Sequence, residues 1–115
     1  MLHVDANPLM SQAVIHNGVA TLSGQVALDQ READFATQTR SILAGIDNIL
    51  AQCDSGRDRL ISATIWLTDI ADFAAFNTIW TEWLDGATPP ARATVRADLV
   101  LPGLKAEIQV TAAVG

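Results

Sequence analysis

The sequence predicts one α+β domain in which a layer of mostly antiparallel strands carries two helices on one face and leaves the other face uncovered. Three observations support this. Apolar residues recur at two different periods along the chain, turn residues separate the segments, and no linker, repeat or low-complexity tract divides the 115 residues. Hydrophobic residues make up 50% of the chain, enough for a core without a disulfide or metal staple.

Gln12–His16 and Val19–Val26 read as strands, and Asn17-Gly18 between them tolerates the positive φ of a type I′ turn, so the chain opens with a hairpin. From Arg31 to Gln52 the residues Phe35, Ile42, Leu43, Ile46, Ile49 and Leu50 recur at three- and four-residue steps, predicting a long amphipathic helix with Asp29 and Glu32 as its capping pair. Asp54-Ser55-Gly56 ends that helix, and Leu60–Leu67 is apolar and β-branched enough for a strand buried on at least one face. A second helix carries the stripe Ile70, Phe73, Phe76, Trp80 and Leu84, opened by Asp69 and stopped by Gly86. Aromatics at this spacing are read as core. Pro89-Pro90 forces extended backbone, and Arg92–Leu101 and Lys105–Ala113 alternate as two strands about a Pro102-Gly103 turn. The order is β-β-α-β-α-β-β within a single domain, residues 1–115.

Along the penultimate strand Arg92, Thr94, Arg96 and Asp98 share one face, opposite Ala93, Val95, Ala97 and Leu99. On the last strand Glu107, Gln109 and Thr111 oppose Ile108, Val110 and Ala112. With the apolar sets turned to the helices, the free face is semi-polar and suits an interface between copies of the chain. If Pro102 and Gly103 form a two-residue turn, Glu107 lies opposite Asp98 and Arg92 lies about 20 Å further along the strand. One chain alone then does not bring Arg92 to Glu107.

Seven Lys and Arg against 13 Asp and Glu give a net charge of -6, and no basic run exists to neutralise a phosphate backbone, so a nucleic-acid partner is not expected. A small anionic substrate is compatible with that charge, because salt screens distant charges within about 10 Å. The lone Cys53 forms no internal disulfide and points to a reducing compartment. The first residues lack the basic and apolar regions of a signal peptide, and no apolar run approaches the roughly 20 residues of a membrane span, so a cytoplasmic protein without a membrane partner is expected. His3 and His16 are too isolated for a metal site, Gly24, Gly45 and Gly56 form no phosphate cradle, and Ser23 has no His-Asp companion. Neither a metal nor an organic cofactor is expected.

The stretches Leu22-Ser23-Gly24-Gln25-Val26, Phe35-Ala36-Thr37-Gln38-Thr39-Arg40, Asp72-Phe73-Ala74-Ala75-Phe76-Asn77, Pro90-Ala91-Arg92-Ala93-Thr94-Val95 and Glu107-Ile108 occur in an order and at spacings that resemble the RidA/YjgF family over nearly the whole chain. The resemblance implies a chorismate-mutase-like fold with one mixed sheet, a homotrimer whose sheets form an inner barrel, and three sites in clefts between subunits. It also implies a cofactor-free hydrolase that deaminates reactive 2-enamino and 2-imino acids, such as 2-aminoacrylate, to 2-keto acids and ammonia.

Carried over by position, Arg92 would hold the substrate carboxylate in a bidentate fork. Glu107 of another subunit would position and polarise the attacking water, Ser23 and the Gly24 amide would line the site, and Asn77 would add a polar contact. Two positions depart from the pattern: the family's site aromatic, often Tyr, falls on Met10, and its site cysteine falls on Thr94. Met10 gives a softer wall without a hydroxyl. The alternative reading is a non-catalytic protein that binds 2-keto acids through the same Arg92. An RNA-directed role is opposed by the acidic charge.

Overall fold

In the computed structural model, which describes residues 1–115, Asn17 and Gly18 take φ angles of 51° and 76°. The expected hairpin forms there, between β2 (Ala13–His16) and β3 (Val19–Leu22). Its second strand is shorter than the alternation to Val26 suggests, because regular pairing stops at Leu22 and the chain rejoins the sheet only where Gln25 bridges to Ile108. A further strand, β1 (Leu2–Val4), pairs outside β2. Three residues are too few to carry a readable period.

The first helix, α1 (Phe35–Gln52), buries Phe35, Ile42, Leu43, Ile46, Ile49 and Leu50 as the periodicity predicts. Its start is a correction. Asp34, not Asp29, is the N-cap, with its carboxylate accepting from the Thr37 amide at 2.8 Å, while Leu28–Gln30 form a separate 3-10 turn. The fully buried Gln38 holds this geometry: its Nε2 donates to the carbonyls of Ala33 (3.1 Å) and Gly103 (2.9 Å), and its Oε1 accepts from the Lys105 amide (3.0 Å). One side chain thus ties the start of α1 to the distant turn at Gly103. There is room for this only because Gly103 has no side chain: its φ is +86°, and a Cβ would lie 2.6 Å from the Arg31 carbonyl oxygen.

β4 (Leu60–Leu67) has the predicted bounds. Asp69 caps a 3-10 turn, Ile70–Asp72, which leads into α2 (Phe73–Leu84). The helix ends with Asp85 and Gly86 at φ of 49° and 86°, the left-handed stop predicted at Gly86. Phe76, Trp80 and Leu84 are buried as expected, but Ile70 and Phe73 remain 52% and 41% exposed. They sit on the 3-10 turn and at the first position of α2, where the stripe has not yet settled on its helical period.

The largest correction concerns the last two strands. β5 (Ala91–Arg96) and β6 (Ala106–Ala113) form no hairpin; the sheet order is β1-β2-β3-β6-β4-β5, with β6 between β3 and β4 and β5 parallel to β4 at the edge. Pro102-Gly103 is a turn inside the connection, docked on the start of α1 by Gln38. The parallel register pairs Arg92 with Ala63 and Thr94 with Ile65, both in the core, so Arg92 and Thr94 project toward the helices rather than the free face. β6 has the predicted facing, with Ile108, Val110 and Ala112 buried and Glu107, Gln109 and Thr111 half-buried on the opposite side. The sheet is mixed, both helices cover one face, and no helix is long and apolar enough to cross a membrane.

Candidate functional site

The residues picked out in the sequence fall into two groups on opposite faces of the sheet. On the helix face, the edge strand β5 places Arg92 beneath α2. Its Nη2 donates to Asn77 Oδ1 at 2.7 Å, and its guanidinium carbon lies 5.8, 5.5 and 5.8 Å from the ring centroids of Phe73, Phe76 and Trp80. These four side chains come from successive turns of α2, spaced so that they share one face. Neither of the two ion pairs in the molecule, Arg40–Glu82 and Arg57–Asp47, involves Arg92. Burial lowers the Arg92 pKa from its ordinary value. A guanidinium has five N–H donors, and a single neutral oxygen engages this one. Two residues further along the same face, the Thr94 hydroxyl is buried without a hydrogen-bond partner.

The second group stands on the free face. Glu107 pairs in register with Trp66 of β4, and burial raises its carboxyl above the ordinary carboxylate value. The carboxylate lies directly against Gly24: a Cβ there would overlap Glu107 Oε2 and come within 3.0 Å of Cδ. Gly24 is therefore the residue type this approach requires. Ser23 spends its hydroxyl on the chain, donating to the Ser11 carbonyl at 2.5 Å, while its amide donates to Gln12 at 2.9 Å. It thereby clamps the end of β3 to the loop that carries the half-exposed Met10. A cleft of about 440 Å³ opens beside Glu107, walled by Trp66 and by Ala97, Asp98, Leu99 and Val100 of the connection after β5.

Asn77, Thr94 and Arg92 thus form one half, and Ser23, Gly24 and Glu107 the other. The halves are not joined within one chain. Arg92 is aligned with Ala63 and Glu107 with Trp66, the two side chains leave opposite faces, and β5 is separated from β6 by the full width of β4, about 10 Å at 4.8 Å per strand. No cluster of three or more His, Cys, Asp or Glu side chains is arranged to hold a metal. The aromatic surround of Arg92 is what the sequence reading missed. Phe76 and Trp80 are core residues as their spacing predicts, and with the more exposed Phe73 they also flank Arg92; the sequence signal for that second role is Asn77 on the same stripe, a polar residue where an apolar one packs best.

A family model described as endoribonuclease L-PSP matches residues 4–114. The chain is 38% identical over 114 residues to the RutC family protein YoaB of Escherichia coli strain K12, covering 99% of this chain and 98% of that one. Among solved structures, a YjgF-family member from Neisseria meningitidis superposes with a TM-score of 0.93 at 37% identity, covering 99% of this chain and 94% of that one. YyfA of Yersinia pestis, described as a protein of unknown function of the conserved Rid family, superposes with a TM-score of 0.87 at 32% identity, covering 95% and 90%. A match that runs almost end to end, in sequence and in backbone alike, makes this chain a member of the RutC/YjgF/Rid family.

Proposed function

We propose that the protein hydrolyses reactive 2-enamino and 2-imino acids of the 2-aminoacrylate type to 2-keto acids and ammonia, acting as a homotrimer with sites between subunits. The observation that carries this reading is the Arg92 guanidinium, half-buried among three aromatic rings, held by one neutral amide oxygen and matched by no carboxylate. Such a group lacks a counter-ion, and a substrate carboxylate supplies one with bidentate geometry.

In the proposed reaction the enamine first tautomerises to the imine, whose carboxylate docks on Arg92. Glu107 of a neighbouring subunit accepts a proton from water as the oxygen attacks the imine carbon, and the carbinolamine collapses as nitrogen, protonated in turn, leaves as ammonia. Burial of Glu107 supports its role as base, because a raised pKa strengthens the carboxylate as a proton acceptor. Imines of this kind hydrolyse in water, so holding the carboxylate and orienting the water is sufficient catalysis. The opposite-face placement of the two halves and the semi-polar free face both favour assembly from several copies.

Arg92→Ala should fold and assemble as the wild type does yet lose hydrolysis of freshly generated 2-aminoacrylate. Retained turnover removes Arg92 from the mechanism. The exposed Met10, which offers no hydroxyl as a proton donor, favours one second reading, binding of 2-keto acids without turnover. Keto-acid binding by a wild type that fails to hydrolyse the imine selects it.

A further inference from the structure

Beside Arg92 the structure holds a cleft of about 330 Å³ that runs along the C-terminal half of α2. Its walls include Trp80 and Leu84 on the helix, Ala87, and the Pro89-Pro90 pair, with Arg92 as the charged group. Besides the Trp80 indole N–H, its other side-chain polar group is the Thr81 hydroxyl, which already donates to the Asn77 carbonyl at 2.8 Å. The two prolines fix their own φ angles, and Trp80 is packed against both Phe76 and Trp83, at centroid distances of 5.8 and 5.3 Å. The walls are therefore preformed. An apolar channel with a fork of N–H donors among its walls matches a molecule with one anionic head and one apolar tail.

We infer that this cleft binds carboxylates with an extended apolar side chain, the carboxylate on Arg92 and the tail along Trp80 and Leu84 toward Pro89. The inference rests on Arg92 as the carboxylate anchor, and it assigns the proposed reaction a substrate class: 2-imino acids derived from amino acids with longer aliphatic side chains, beyond 2-aminoacrylate itself. No second charged side chain lines the cleft, so a tail ending in an ammonium or a second carboxylate finds no partner there.

Calorimetric titration of the intact protein with pyruvate and with 2-oxohexanoate tests it, because these stable 2-keto acids differ by three methylenes. Each methylene buried should tighten binding about fourfold, giving on the order of 50-fold in favour of 2-oxohexanoate. Ala87→Phe, which fills the cleft, should bring the two affinities together, and Arg92→Ala should abolish binding of both. Equal affinities in the wild type, no binding of either acid, a gradient that survives Ala87→Phe, or 2-oxohexanoate binding that survives Arg92→Ala overturns the inference. Neither probe is turned over, so the outcome is separable from that of the proposed reaction. A chain-length gradient without imine hydrolysis leaves the cleft standing and removes the deaminase, and hydrolysis without a gradient does the reverse.

Discussion

Two arginines in this molecule stack over tryptophan, and they meet different partners. Arg57 lies 5.0 Å from the Trp83 ring, donates to the Trp83 carbonyl, and pairs with Asp47 at 2.7 Å; the same Asp47 oxygen accepts from Trp83 Nε1 at 3.0 Å. Its charge is balanced and its geometry closed. Arg92 has a larger aromatic surround but only the amide of Asn77 in place of an acid. The contrast separates a guanidinium neutralised by an acid of its own chain from one that no carboxylate of the chain engages. The type of oxygen opposite each arginine, carboxylate or amide, makes the difference.

The sharpest way to break this contrast is to split the proposed site between chains. Arg92→Ala and Glu107→Gln proteins should each be inactive, and co-assembled trimers of the two should regain about a quarter of the wild-type rate, the share of clefts that receive both intact residues. No recovery on mixing, with co-assembly verified by native mass spectrometry, would place both residues in one copy's site.

A second test converts Arg92 into a copy of Arg57. Asn77→Asp puts a carboxylate where the amide oxygen now sits, filling the fork internally and repelling the substrate acid. KM should rise about 100-fold, and more than in Asn77→Ala. Equal effects of the two substitutions would mean that Asn77 acts by shape rather than by charge.

The reverse test removes Arg57. Arg57→Ala loses a partly exposed ion pair, a cation–π contact and a backbone hydrogen bond, so denaturant unfolding should show a stability loss of about 1–2 kcal/mol with kcat/KM unchanged. A drop in activity at unchanged stability would reverse the assignment.

The smallest effect belongs to Glu107. Burial holds its carboxyl above 4.5, so between 4.5 and that raised value the folded state binds more protons than the unfolded one. Stability attributable to this group therefore falls as pH rises through the window. Glu107→Gln should melt slightly above the wild type at neutral pH, and the gap should close below pH 4.5. A gap independent of pH would contradict a burial penalty on the charge.

Much of this fold is legible in the sequence where local chemistry is decisive. The Asn17-Gly18 turn, the α1 stripe and the bounds of β4 each follow from neighbours within a few residues. The facing of β5 does not. One alternating set, Ala93 with Val95, is apolar and the other, Arg92 with Thr94, is polar, so polarity alone turns the wrong set to the helices; at this sheet edge the orientation is set by the parallel register against Ala63 and Ile65. The mistaken hairpin has the same origin, because a Pro-Gly pair signals a turn without saying what the turn joins. The roles expected of Arg92 and Glu107 follow from the family resemblance and from no local signal. The aromatic surround of Arg92 became visible only once α2 lay across β5.

Gln38 has a consequence for how such a chain tolerates change. Its amide fixes the C-terminal end of the connection over residues 97–105 to the helix start, through Gly103 and Lys105, with no help from the residues between Asp98 and Leu101. That stretch, which includes the 80% exposed Val100, is spared the task of holding β6 in place. Substitutions there can reshape the wall beside Glu107 while the strand that carries it stays anchored, so the shape of that cleft is free to vary without unfolding the scaffold.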